Sequence, residues 1–105
     1  MDTRNVILDI AMNLTRVGNW AADDYDAKKE RIKMFLGNTT RYIQSLNRAS
    51  FPPSFSSTFN TFLREYSKLE RTGLEGPNNS LEWAEKMMTW GNILTHRSKL
   101  LPSSK

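Results

Sequence analysis

Phe55, Phe59, Phe62, Tyr66 and Leu69 follow one another at spacings of four, three, four and three. A helix returns side chains to one side of the backbone at that interval, because each residue advances about 100° around the axis. An aromatic stripe of this size has to face other elements with matching apolar faces, so the chain is expected to fold as helix packed on helix.

Three further segments carry the same period. Val6, Ile7, Ile10, Ala11, Leu14 and Val17 share one face of a first helix, which Asp2 or Thr3 can cap. Gly18 and Asn19 then read as a stop or bend, with helix able to resume at Trp20, Ala21 and Ala22. A second helix is predicted from Trp20 or Asp24 to Asn47, burying Tyr25, Ile32, Phe35, Leu36, Ile43 and Leu46. Asp23, Asp24 and Asp26 open it while Arg41 and Arg48 lie toward its end, the polarity that the helix dipole favours. Gly37, in its middle, costs up to about 1 kcal/mol relative to alanine and is expected to mark a close helix contact or a kink.

Pro52 and Pro53 force a turn before the aromatic helix, and Gly73, Gly76, Pro77 and two asparagines form a loop after it. Asn79 or Ser80 caps a last helix with Glu82 placed as in a capping box, its apolar surface made by Leu81, Trp83, Ala84, Met87, Met88, Trp90 and Leu94 and its end marked by Pro102. No segment alternates as a strand does. The expected fold is all-α: a single-domain bundle of about four helices, mostly antiparallel, over residues 1–101, with a short polar tail at 102–105.

Catalysis finds little support in the residues. The chain has no cysteine, which removes disulfides, thiolate metal sites and cysteine nucleophiles and suits a reducing, cytoplasmic setting. No apolar run is long enough for a membrane span, since the stretch from Val6 to Val17 is broken by Asp9, Asn13 and Arg16. His96 is the single histidine and lacks a carboxylate within one helical turn to orient it as a base. The aspartates at 23, 24 and 26 lack the glycine and terminal glutamate of a calcium loop, and the segment from Gly73 to Pro77 lacks the lysine and hydroxyl of a nucleotide loop. The reading is of a non-enzyme with no metal or cofactor. Trp83, Met87, Trp90 and Leu94 read as core, and Met88, off their stripe, as surface available to a partner.

Charge supplies the functional signal. Fifteen Lys and Arg against eleven Asp and Glu give a formal charge of +4 and a pI near 9.6. Between Lys28 and Arg48 there are six basic residues and one acid, Glu30, and from Lys86 to Lys105 four basic residues and no acid. Lys29, Lys33, Arg41 and Arg48 are expected in an arc roughly opposite Ile32, Leu36 and Ile43, interleaved with Asn38, Thr40 and Gln44, with Arg97 and Lys99 adding to them near the chain end. A helix of about 24 residues spans about 36 Å, enough to follow several backbone phosphates. Two readings fit such a stripe: a nucleic-acid face reading backbone rather than bases, or a protein-interaction module, including a homo-oligomer, whose basic face is solvated or meets acidic protein.

A short, basic, cysteine-free helical chain with Lys29, Lys33, Arg41 and Arg48 on a long helix and Arg97 and Lys99 near its end resembles the small subunits of CRISPR effector complexes. The resemblance implies a non-catalytic helical subunit present in several copies, supporting the guide–target duplex or the displaced strand. Its implied partners are other effector subunits, guide RNA and target DNA, with the basic residues as phosphate clamps.

Overall fold

The computed structural model describes residues 2–102, and among them there are helices and connecting turns but no strand. The fold is all-α, as the periodicity predicts. Helix α1 runs Thr3–Gln44, α2 Pro53–Glu75 and α3 Ser80–Arg97, with short 3-10 turns at Arg48–Ser50 and Ser98–Leu100. The polar tail beyond Pro102 lies outside the described residues.

There are three α-helices where the sequence predicts about four, because the first two segments are joined with no loop between them. Straight, a helix of 42 residues would be roughly 63 Å long, yet the longest dimension of the molecule is 40 Å. Asp24, with φ −162° and ψ 93°, turns α1 back on itself. The two arms, residues 3–23 and 25–44, then lie side by side: buried Asn13 Nδ2 donates to Thr39 Oγ1 at 3.3 Å, and Trp20 meets Phe35 edge to face at 5.0 Å. Asp24 caps the second arm by accepting from the Ala27 N–H at 3.1 Å. Asp23 pairs with Lys28 instead, and that ion pair holds its carboxyl below the usual range.

The predicted break at Gly18 and Asn19 is absent, since helix continues through both. Gly18 is buried against α3, where a methyl group added to it would sit 3.0 Å from the Ala84 carbonyl oxygen. Gly91 does the equivalent from the other side, its added methyl lying 3.0 Å from the Ala11 carbonyl oxygen and 2.5 Å from Thr15 Oγ1. Gly18 and Gly91 therefore form a reciprocal seam in which the first arm of α1 and α3 approach backbone to backbone. Gly37, expected at a close contact or kink, is at neither: nothing lies within 4 Å of the space its side chain would fill. Gly73 belongs to α2 rather than to the loop, packed beneath Trp83 and Leu36. Gly76, at φ +101°, makes the turn that follows, a backbone angle suited to glycine.

Successive elements run antiparallel. Three buried aromatic donors tie them: Tyr25 Oη donates to the Gly73 carbonyl at 2.5 Å, Tyr66 Oη to that of Leu36 at 3.0 Å, and Trp83 Nε1 to that of Leu69 at 2.9 Å. At Leu36 and Leu69 the donor uses a lone pair that the carbonyl keeps after its own ladder bond, whereas Gly73 has no ladder partner, its i+4 residue being Pro77, so Tyr25 satisfies a carbonyl left open at the end of α2. The aromatic stripe of α2 is buried throughout, Phe55, Phe59 and Phe62 being at most 1% exposed. Met88, read from sequence as partner surface, is half-buried and packs on Gly18.

Burial raises the pKa of Tyr66, with the Glu70 charge adding to it, and burial likewise raises Tyr25. The folded state keeps a proton that the unfolded chain releases near pH 10, so this stability is fully present below about pH 10 and is lost as pH rises toward the folded values. Tm should therefore fall on titration above pH 10. Tyr66→Phe should cost about 1 kcal/mol at neutral pH by removing the hydrogen bond to Leu36, and should flatten that alkaline fall. An equally steep fall in the phenylalanine variant would exclude Tyr66 as its source.

Candidate nucleic-acid interface

The six basic residues singled out by sequence do not form one stripe. Tyr25, Ile32, Leu36 and Thr39 define the buried face of the second arm of α1. Lys33 lies three residues from Leu36, only about 60° around the axis, so it flanks the core and is half-buried. Lys29 is exposed to one side, and Arg41, on the far side, donates to Asn38 Oδ1. The three spread over about 120° of the arm, Lys29 and Lys33 about 40° apart and Arg41 about 80° further round, so they do not share one line. Arg31 is also engaged, over the Trp20 ring at 5.1 Å.

Arg48 is not on that helix, which ends at Gln44; it belongs to the 3-10 turn leading into α2. From there its Nη2 donates to Asn60 Oδ1 at 3.0 Å, which carries its guanidinium to the outer side of α2. Arg97 closes α3 and Lys99 lies in the turn after it, both exposed. Arg97 borders a groove of about 580 Å³ between α2 and α3, together with Ser57, Thr61, Trp90, Asn92 and His96.

Two of the six, Arg48 and Arg97, are thus brought to opposite sides of residues 57–61 of α2. A third cation, Arg64, lies on the same helix one turn beyond Asn60 and donates from Nη2 to Thr61 Oγ1 at 3.4 Å. Arg64 opens a line missed in the sequence: Arg64, Lys68 and Arg71, at intervals of four and three, fall within about 60° of one another. Phe62, Tyr66, Leu69 and Gly73 occupy the opposite, buried face. All three cations are exposed, and among the described residues none of them is in an ion pair. The signal was present in the i, i+4, i+7 spacing, but Glu65, Glu70 and Glu75 are interspersed with it and mask it in the local charge balance. On the helix these acids separate: Glu70 turns toward α1, accepting from Thr40 Oγ1 at 2.5 Å, and Glu65 borders α3. Glu75 follows Arg71 at the end of the line.

Arg48, Arg64 and Arg97 around Ser57 and Thr61 offer planar, multi-donor cations beside neutral hydroxyls, a set suited to phosphate oxygens. Among the described residues no three His, Cys, Asp or Glu side chains come together as a metal site. No helix of the described residues is long and apolar enough to cross a membrane. No protein-family model, curated protein or solved structure matches the chain in the comparisons made with them.

Proposed function

We propose that this chain is a non-catalytic binding subunit that contacts the phosphate backbone of nucleic acid through the outer side of α2 and the turns beside it. The observation that carries the reading is the convergence of Arg48, Arg64 and Arg97 on residues 57–61, continued by Lys68 and Arg71 along the helix. Successive cations of the line are about 4.5–6 Å apart along the helix, so the line can neutralise more than one phosphate of a strand. Small subunits of CRISPR effector complexes, which the chain resembles, are one assembly in which such a role would operate, with further subunits and other copies as partners.

Changing Arg48, Arg64 and Arg97 together to glutamine should weaken binding to RNA or DNA. It should also reduce the steepness of the salt dependence by roughly 0.7–0.9 for each phosphate that is no longer neutralised. All three are exposed, so stability should stay within about 0.5 kcal/mol per substitution. The triple variant Lys29→Gln, Lys33→Gln, Arg41→Gln should change binding far less, because those residues lie on another helix, away from residues 57–61. Fluorescence anisotropy across a salt series, with melting curves for each protein, measures both effects. Unchanged affinity in the arginine variant at every salt concentration would overturn the reading.

A protein-docking role is the second reading, favoured by a different groove. Trp20, Ala27, Arg31, Met34 and Phe35 line about 670 Å³ beside the corner of α1, and Met34 is 61% exposed there. Nucleic-acid binding that ignores the arginines would leave this surface as the better candidate.

A further inference from the structure

Trp90 lies in the groove between α2 and α3, half-buried, with its ring centroid 5.4 Å from that of Phe62. Phe62 is fully buried and itself rests on Phe59 and Tyr66, so the indole packs obliquely, its plane at 59° to that of Phe62, on a buried aromatic cluster. We infer that this groove seats an unpaired nucleobase stacked on Trp90, which makes the chain a binder of single-stranded rather than duplex nucleic acid. The inference rests on the phosphate-contact reading above and adds to it which form of nucleic acid is bound.

Three features support that occupant. A supported indole gives a flat π-surface already in place, and stacking on such surfaces accepts any base. Around it, Ser57, Thr61, Asn92 and His96 present hydroxyl, amide and imidazole groups able to donate and accept, as the edge of a base requires. Charge then sets which end of the groove the strand occupies. On the Ser57 side of Trp90 stand Arg97 and, through Thr61, Arg64. On its other side Glu65, Glu82 and Glu85 face a single Lys86, so a polyanion is drawn to one end of the groove and repelled from the other. A paired base inside a duplex keeps both faces stacked and cannot reach the floor of such a groove without being extruded.

The test compares a short oligothymidylate with a hairpin duplex of similar length, by anisotropy and by the protein's own tryptophan emission. The intact protein should bind the single strand more tightly and lose tryptophan emission on binding. Trp90→Leu should weaken single-strand binding about tenfold or more while leaving the weaker duplex binding in place, and Trp90→Phe should retain most of the affinity. Asn92→Glu provides a variant at an exposed position, where folding is not at stake, and should weaken single-strand binding by putting a negative charge on the groove. Equal affinity for both probes, or full single-strand binding by folded Trp90→Leu and by Asn92→Glu, would overturn the stacking inference and leave the phosphate-contact reading standing. Failure of the intact protein to bind either probe at low salt would overturn both.

Discussion

Phe59→Ala and Phe62→Ala should each lower the stability of this bundle by about 3–5 kcal/mol, the range for emptying a buried phenylalanine site. Phe59 meets Phe51 at 5.2 Å, Phe55 at 5.7 Å and Phe62 at 5.5 Å, so its removal opens a void among large rings that cannot close without repacking one another. A domain of this size has about 5–15 kcal/mol in total, so either substitution takes a large share. The expected result is a Tm lower by at least roughly 12 °C, taking about 4 °C per kcal/mol. Phe62→Ala should also release Trp90 and broaden its emission, an effect not expected of Phe59→Ala. An unchanged melting curve for both variants would mean that the stripe is not the core.

Gly18→Val and Gly91→Val should be comparably damaging for the opposite reason, overpacking. Each side chain would have to grow into a backbone carbonyl of the facing helix, at Ala84 and Ala11, and a backbone atom cannot rotate aside as a side-chain tip can. Forcing helices apart typically costs about 1–3 kcal/mol or somewhat more, and a β-branched residue begins at the upper end of that range. Even Gly91→Ala should destabilise, although alanine favours helix by about 1 kcal/mol. Gly37→Ala serves as the control, because its surroundings are open and the helix preference acts alone. It should stabilise the protein by up to about 1 kcal/mol. Urea denaturation of the four variants checks the pattern, and a fall in stability at Gly37 equal to that at Gly91 would remove the seam as its cause.

The glycines also show where sequence reasoning reached its limit. Helical period was legible in every segment because burial on one face leaves its imprint residue by residue, as at Phe55, Phe59 and Phe62. What Gly18 does was not legible, because its function depends on Ala84 and Met88, far along the chain, and a glycine beside an asparagine looks like a stop. The true corner, Asp24, was legible only as one of two possible starts of the second helix and as one of the acids opening it, since aspartate can take those backbone angles as readily as helical ones. The candidate interface divided in the same way. Arg48 and Arg97 were identified by sequence but assigned to different surroundings, because Arg48 was placed on a helix that ends at Gln44. Arg64 was passed over in favour of the aromatic stripe on the same helix, and the groove at Trp90 could not be seen at all, being assembled from two helices whose pairing no local pattern encodes.

The seam between Gly18 and Gly91 has a consequence for how the bundle assembles. The interfaces between the two arms, between the second arm and α2, and between α2 and α3 join neighbours along the chain and can zip up by closing a short loop, whereas this one joins the first arm to the last helix across the whole sequence. Contacts of such long separation carry the largest loop-closure entropy and are expected late on the folding route. The seam then acts as a latch, set last and released first. Substitutions there should speed unfolding while barely slowing refolding, and stopped-flow traces of Gly91→Ala would show this as a shift confined to the unfolding arm of the chevron.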